Sequence, residues 1–250
     1  MSVFGETYAK YYNLLYKDKN YKKEFDYIHG IIKAFSNKDC KTILDVGCGT
    51  GRHLSFFKNA EYSVSGIDLS ENMINEAKKI LGQEKDLICC KASDFKTDKK
   101  YDVIISLFHV MSYQIENKEL DLVFKNISKN LCDGGLFIFD FWYGPAVLSD
   151  PPVVRIKRLE NEEIKITRIT EPVMHYNENI VDVNFEVLIE DKKTHILETL
   201  KETHKMRYFF LPEFELFTKS AGLKILGFFE WMNKKSLSSN SWYGVGILQK

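Results

Sequence analysis

The chain has 250 residues, enough for one large domain or one domain with a sizeable insertion. Apolar residues make up 44% and charged residues 28%, and 35 Lys and Arg balance 35 Asp and Glu. That neutral, ordinary globular balance argues against a general attraction to nucleic acid polymers or anionic membrane. The five cysteines form no CxxC pair and sit mostly in apolar runs, as expected of a cytoplasmic protein with reduced thiols. No run reaches the roughly 18–20 apolar residues that span a bilayer. The amino terminus MSVFGETYAKYY lacks the basic-then-apolar order of a signal peptide.

In chain order, Tyr8, Tyr12 and Tyr16 recur every four residues beside Leu15, so a helix would carry them on one face. Such a stripe serves core packing as readily as a site. Residues 42–46 then form a short apolar run ending in a glycine cluster, and residues 63–67 a second that ends at Asp68. Further buried runs fall at 87–90, 103–108 and 136–141, the last after the turn Asp133-Gly134-Gly135. Helical patterns at 53–59, 71–81 and 120–131 separate them, so the spacing predicts a doubly wound α/β fold with a largely parallel sheet. From Val153 to Arg207 the pattern changes to apolar–polar alternation, as in Val181-Asp182-Val183-Asn184-Phe185-Glu186-Val187. Period-two alternation without helices predicts antiparallel strands with one wet face, turning at 177–179 and 191–193. A helix returns at 212–220, with Pro first and Gly222 at its end, and strands at 223–229 and 242–248 complete the core. The expected organisation is a core of residues 1–149 and 208–250 interrupted by an antiparallel insertion at 150–207.

The strongest motif is Leu44-Asp45-Val46-Gly47-Cys48-Gly49-Thr50-Gly51. Three alternate glycines after a strand let the backbone approach a ligand and turn into a helix whose first amides are free. A dinucleotide fingerprint would place glycine where Arg52 stands, which argues against a nicotinamide-dependent oxidoreductase. The acidic residue before GxGxG instead resembles the first motif of class I S-adenosylmethionine-dependent methyltransferases. Asp68 ends the second strand 21 residues after Gly47, where a carboxylate can accept both hydrogen bonds of a ribose diol. The resemblance implies that Asp45 and Gly47, Gly49 and Gly51 line the methionine part of the donor, while Leu69 and Met73 border the adenine. Cys90-Lys91-Ala92-Ser93-Asp94-Phe95 sits where the family often has Gly-Asp-Ala-x-Asp-Leu, which would set Ala92 and Ser93 beside the adenine. Lys91 departs from the usual aspartate, and Asp94 reads equally as a helix cap.

Methyl transfer is an in-line displacement, so an enzyme mainly aligns donor and acceptor and excludes water. Ligands in doubly wound sheets sit beyond the carboxyl ends of the strands, so the fourth strand's end, Ser106 to Tyr113, should face the reacting methyl, with Leu107 among the donor-binding residues. His109 is a reasonable base near neutral pH; a hydrogen-bonded histidine beneath the donor is the alternative. Tyr113, Phe141, Trp142 and Tyr143 follow strand ends, as an aromatic wall or as core. The segment Tyr8-Ala9-Lys10-Tyr11-Tyr12-Asn13-Leu14-Leu15-Tyr16 with Lys19-Asn20-Tyr21 is similar to the entry segment of methyltransferases of nucleotide-linked amino sugars and surface polysaccharides. There it lids the donor, which implies that Tyr12 and Tyr16 close over S-adenosyl-L-methionine and that Tyr12 also touches the acceptor. Asn13 stands where that pattern has Asp. Inserted strands in those relatives build an acceptor pocket or a homodimer contact.

Two rivals differ in class. Nucleic-acid amino-methyltransferases place Asn/Asp-Pro-Pro-aromatic after the fourth strand; here Asp150-Pro151-Pro152-Val153 follows the fifth and lacks the aromatic that would stack a flipped base. A non-catalytic protein that binds the donor is the other. No carboxylate cluster surrounds His109 in sequence, so no metal is expected. The expected reaction moves a methyl group from S-adenosylmethionine to an amine or hydroxyl of a small polar acceptor such as a nucleotide-activated sugar, leaving S-adenosyl-L-homocysteine.

Overall fold

The computed structural model describes residues 14–15, 19–82 and 86–250. Tyr8, Tyr12 and Tyr16 lie outside them. The order of elements is α1 (Tyr21–Phe35), β1 (Thr42–Val46), α2 (Arg52–Asn59), β2 (Ser63–Asp68), α3 (Glu71–Leu81), β3 (Leu87–Cys89), β4 (Tyr101–Ser106), a 3₁₀ turn (Val110–Tyr113), α4 (Asn117–Asn130) and β5 (Leu131–Tyr143). There follow α5 (Gly144–Ser149), β6 (Arg155–Glu160), β7 (Ile164–His175), β8 (Ile180–Asp191), β9 (Leu197–Phe209), α6 (Leu211–Ala221), β10 (Lys224–Glu230) and β11 (Tyr243–Gln249). Among the described residues no helix is long and apolar enough to cross a membrane.

Strands β3-β2-β1-β4-β5 run parallel in that order, and β11, antiparallel to β5, carries β10 on its far side. The inserted strands β6 to β9 form an antiparallel meander. This is the doubly wound fold with an antiparallel addition after the fifth strand. The two parts make one sheet, because β9 pairs with the end of β5 through Trp142–Tyr208 and Tyr143–Phe209, beyond the reach of β4. Those added partners carry β5 past the apolar run at 136–141 to Tyr143.

Because side chains alternate across a strand, each core strand feeds two layers. Ile43, Val103, Ile105, Ile138 and Ile247 face α1, α2 and α3, where Phe25, Leu54 and Phe57 meet them. Leu44, Ile104, Phe137, Phe139 and Phe141 face α4 and α6 with Phe124 and Phe214. Phe141 is therefore core packing and not part of a wall, as edge-to-face contacts with Phe214 and Tyr143 attest. Local chemistry sets the helix ends: Ser70 Oγ accepts from the Met73 amide and Gly82, at φ +81°, closes α3. No helix follows Asp94, which lies exposed in a turn, so its capping alternative does not hold.

Candidate active site

Three turns converge beyond the carboxyl ends of β1, β2 and β4. After β1 the amides of Gly47 and Cys48 both donate to the Ile67 carbonyl, at 2.8 and 2.9 Å, and fold the chain back over β2. Gly47 has φ +81°, and a side chain there would press its Cβ to 2.5 Å from Val110 Cγ2. Gly49 also has positive φ, but a Cβ there meets nothing within 4 Å; its face is open. Its amide donates to Asp68 Oδ2 at 2.9 Å, and the Ser70 amide donates to Oδ1 at 2.9 Å. Burial raises the Asp68 carboxyl above its usual range although these amides oppose it.

Asp45, the fourth residue of β1, is 1% exposed, and neither carboxylate oxygen has a hydrogen-bond partner among the described residues. Burial first, then the neighbouring Asp68 and Asp140, push its carboxyl up to about 8, while the Lys19 ammonium pulls it down. A buried carboxylate without donors is costly. It fits a ligand that brings a cationic, hydrogen-bond-donating group, such as the ammonium of a methionine moiety. Lys19 is itself largely enclosed. Its Nζ is 3.1 Å from Glu24 Oε2 and 3.5 Å from the centre of the Phe108 ring, and burial lowers its pKa against the pull of Glu24, Asp140 and Asp45. Glu24 also lies 2.6 Å from His53 Nε2, so His53 is a structural partner in that network.

The turn after β4 is strained: Phe108 and His109 both sit at positive φ, +68° and +63°. Such backbone costs roughly 1–2 kcal/mol per residue and gathers at functional sites. Here it turns the His109 amide onto Asp140 Oδ1 at 2.8 Å and brings Nδ1 to 3.0 Å from Oδ2. The ring contact is close but not an aligned hydrogen bond, since Nδ1 has no partner in good geometry among the described residues. Burial would raise the Asp140 carboxyl, yet His109 and Lys19 outweigh it and hold it below the usual range. The imidazole stacks on Tyr243 with centroids 4.6 Å apart.

These turns open on a cavity of about 340 Å³. Gly47, Gly49, Asp68, Met73 and Leu107 line one end; His109, Tyr113, Trp142 and Tyr243 form the middle; Arg168, Val183, Phe185, His204 and Met206 form the other end. Asp45 lies beneath the glycine loop. Gly51, Leu69, Ala92 and Ser93 stand outside this lining. Gly51 instead makes room for Ala77 and Leu81, each 3.1 Å from where its Cβ would be. Leu69 is 63% exposed, and Ser93 Oγ donates to Glu119 at 3.2 Å. Tyr12 and Tyr16 are not among the described residues. The sequence reading missed Lys19, Tyr243 and the whole far end of the cavity, Arg168, His204 and Met206. Among the described residues, no three His, Cys, Asp or Glu are grouped to hold a metal ion.

Residues 43–135 match the family described as "Methyltransferase domain". A dTDP-3-amino-3,4,6-trideoxy-alpha-D-glucopyranose N,N-dimethyltransferase of Streptomyces venezuelae is 26% identical over 89% of this chain and 92% of its own length. An S-adenosylmethionine-dependent methyltransferase from Clostridium acetobutylicum has TM-score 0.82 at 23% identity, covering 98% of this chain and 97% of that one. CalS10, an amino pentose methyltransferase from Micromonospora echinaspora solved with S-adenosylmethionine bound, has TM-score 0.78 at 19% identity, covering 100% and 98%. At those identities the solved structures speak for the fold. The matched family, the acidic residue before the glycine loop and the carboxylate closing β2 agree on the activity, and residues 43–135 are a methyltransferase domain.

Proposed function

We propose that the protein methylates the amino group of a nucleotide-linked sugar. In this reading residues 1–149 and 208–250 hold the donor, and the insertion at 150–207 walls the acceptor. The observation that carries it is a single cavity running from the glycine loop and Asp68 to inward side chains of the inserted sheet. Support also comes from the amino-sugar N,N-dimethyltransferase that aligns over nearly its full length.

S-adenosylmethionine supplies a methyl group already activated by its sulfonium charge. Asp45 takes the donor's ammonium and Asp68 the ribose diol, while Gly47 and Gly49 admit the chain between them and Met73 and Leu107 give it apolar contact. Tyr12 and Tyr16 close over it, Tyr12 reaching the acceptor. His109, fixed between Asp140 and Tyr243, holds the acceptor in line with the methyl group; for an amine this is positioning more than proton removal, because the attacking nitrogen needs only to arrive neutral. The Arg168 guanidinium lies 4.8 Å from the Phe185 ring, and a fixed cation over an aromatic plane suits the diphosphate of an activated sugar. Edge strand β6, with Val153, Val154 and Ile156 exposed, is where a second copy would bind; a monomer in sedimentation would remove that part.

The test is S-adenosylhomocysteine release against dTDP-linked amino sugars and their hydroxyl counterparts. Turnover confined to the amino compounds is expected. Silence with every compound, in a protein that still binds S-adenosylhomocysteine, would refute the acceptor.

A further inference from the structure

Facing His109 across the cavity is a second histidine whose two ring nitrogens are both engaged. His204, from β9, is 3% exposed. Its Nδ1 is 2.6 Å from the hydroxyl of Tyr113, in the 3₁₀ turn after β4, and its Nε2 is 3.4 Å from Glu202 Oε2, two residues away on the same strand face. The Phe185 ring meets the imidazole edge-on at 5.0 Å and fixes its plane. Tyr113, 36% exposed, and His204 both border the cavity while Glu202 does not, so the hydroxyl and imidazole front the ligand space and the carboxylate stands behind them. A nucleophile or base, an oriented imidazole and a carboxylate behind it form the arrangement by which proteins move one proton reversibly. Burying two polar side chains, His204 and Glu202, on a strand face otherwise filled by Val183, Phe185 and Met206 is expensive; packing alone would be better served by apolar residues.

We propose that Tyr113, His204 and Glu202 form the relay that takes the acceptor's proton. The inference rests on the amine-acceptor reading above. The amine nitrogen gives its lone pair to the methyl carbon as the carbon–sulfur pair withdraws onto sulfur. The surplus proton on the new ammonium passes to the Tyr113 oxygen while the Tyr113 proton passes to His204 Nδ1. Glu202 holds the resulting imidazolium, with Nε2–H directed at its carboxylate. After release the proton returns through Tyr113 to solvent. Tyr113 touches the acceptor and is a catalytic residue; His204 and Glu202 act through it as positioning residues. Among the described residues, the other titratable or charged groups around this cavity are Arg168 from β7, His109, Asp68 and Tyr243.

The experiment combines kinetics and calorimetric S-adenosylhomocysteine binding on wild type, Tyr113→Phe, His204→Gln and Glu202→Gln. With a dTDP-amino sugar, Tyr113→Phe should lower kcat about 100-fold, with S-adenosylhomocysteine affinity within about twofold of wild type. In Glu202→Gln the carboxylate no longer holds the imidazolium, so kcat should fall while KM for the amino sugar and S-adenosylhomocysteine affinity stay within about twofold of wild type. Unchanged kcat in Glu202→Gln would overturn the relay, as would full kcat in Tyr113→Phe. Failure of wild type to turn over any amino sugar would instead sink the acceptor reading, so the two failures are separable. His204→Gln serves as the folding control: normal S-adenosylhomocysteine binding with slow turnover supports the relay, and wild-type turnover excludes it.

Discussion

Replacing Asp45 with Asn removes a carboxyl that the ligand-free protein buries with no hydrogen-bond partner among the described residues. In the wild type this carboxyl titrates near 8 instead of its usual 3.8. Its raised value means that the folded state holds a proton which the unfolded chain releases between those limits. The stability from that proton is complete below pH 3.8 and is lost as pH rises through 8. At about 1.4 kcal/mol per pH unit, the interval sets an upper bound near 6 kcal/mol on the cost of the buried charge. Asn keeps the shape without the charge, so the ligand-free variant should melt several degrees above wild type at pH 9 and no higher at pH 4.5. Donor binding should respond in the opposite sense. A charge-assisted contact is worth about 1.5–3 kcal/mol, so S-adenosylhomocysteine should bind roughly 10- to 100-fold more weakly to Asp45→Asn at pH 8. In the wild type, binding at pH 7 should expel a proton as the ligand's ammonium lowers the carboxyl, so affinity improves with pH and levels near 8. Thermal shift across pH, with calorimetry in two buffers of different ionisation enthalpy, reads all three effects. Unchanged affinity in the variant, or binding at pH 7 without proton release, would refute this use of Asp45.

Other substitutions divide the loop by function. Asp68→Ala should weaken S-adenosylhomocysteine by about 1.5–3 kcal/mol, and an unaltered calorimetric isotherm would remove Asp68 from the donor site. Gly47→Ala drives a methyl group to 2.5 Å from Val110 at φ +81°; it should cost about 1–3 kcal/mol and several degrees of melting temperature. Gly49→Ala, whose Cβ meets only open space, should cost only about 1 kcal/mol of stability and lose donor affinity out of proportion. Equal melting losses in the two variants would contradict that division. Lys19→Met removes a cation that pulls the Asp45 carboxyl down, so the pH at which donor affinity levels off should rise above 8; an unmoved plateau would disprove the coupling.

The core strands were legible because both their faces are buried, which leaves continuous apolar runs, and the inserted strands because one face is wet. The donor carboxylates were legible through spacing: Asp45 before the glycines and Asp68 at the next strand end. What spacing could not convey is that Asp45 lacks any hydrogen-bond donor among the described residues, since that depends on β4 and β5 closing over it. The far end of the cavity was missed for a different reason. His204 pairs with a tyrosine 91 residues earlier, a distance no local pattern bridges. A signal existed nonetheless: along β9 the inward set Glu202, His204, Met206 is polar at two of three positions where an inward strand face should be apolar. Phe141 was ambiguous because a strand-end aromatic reads alike as wall and as core, and α6 decided it.

The two-rung ladder between β5 and β9 carries an unusual responsibility. Side chains alternate with period two, so sliding β9 by one residue against Trp142 and Tyr143 would invert its whole face. Glu202, His204 and Met206 would turn outward, and Thr203, Lys205 and Arg207 would enter the cavity. Arg207 now bonds Glu213 at 2.6 Å and Asn117 at 2.7 Å on the opposite face, which pins the strand in its present phase. The insertion can therefore vary freely at its outer hairpins, but any exchange of acceptor walls between related enzymes must keep the phase of β9. A graft joined out of step would fold a sheet of the right shape with its chemistry facing water.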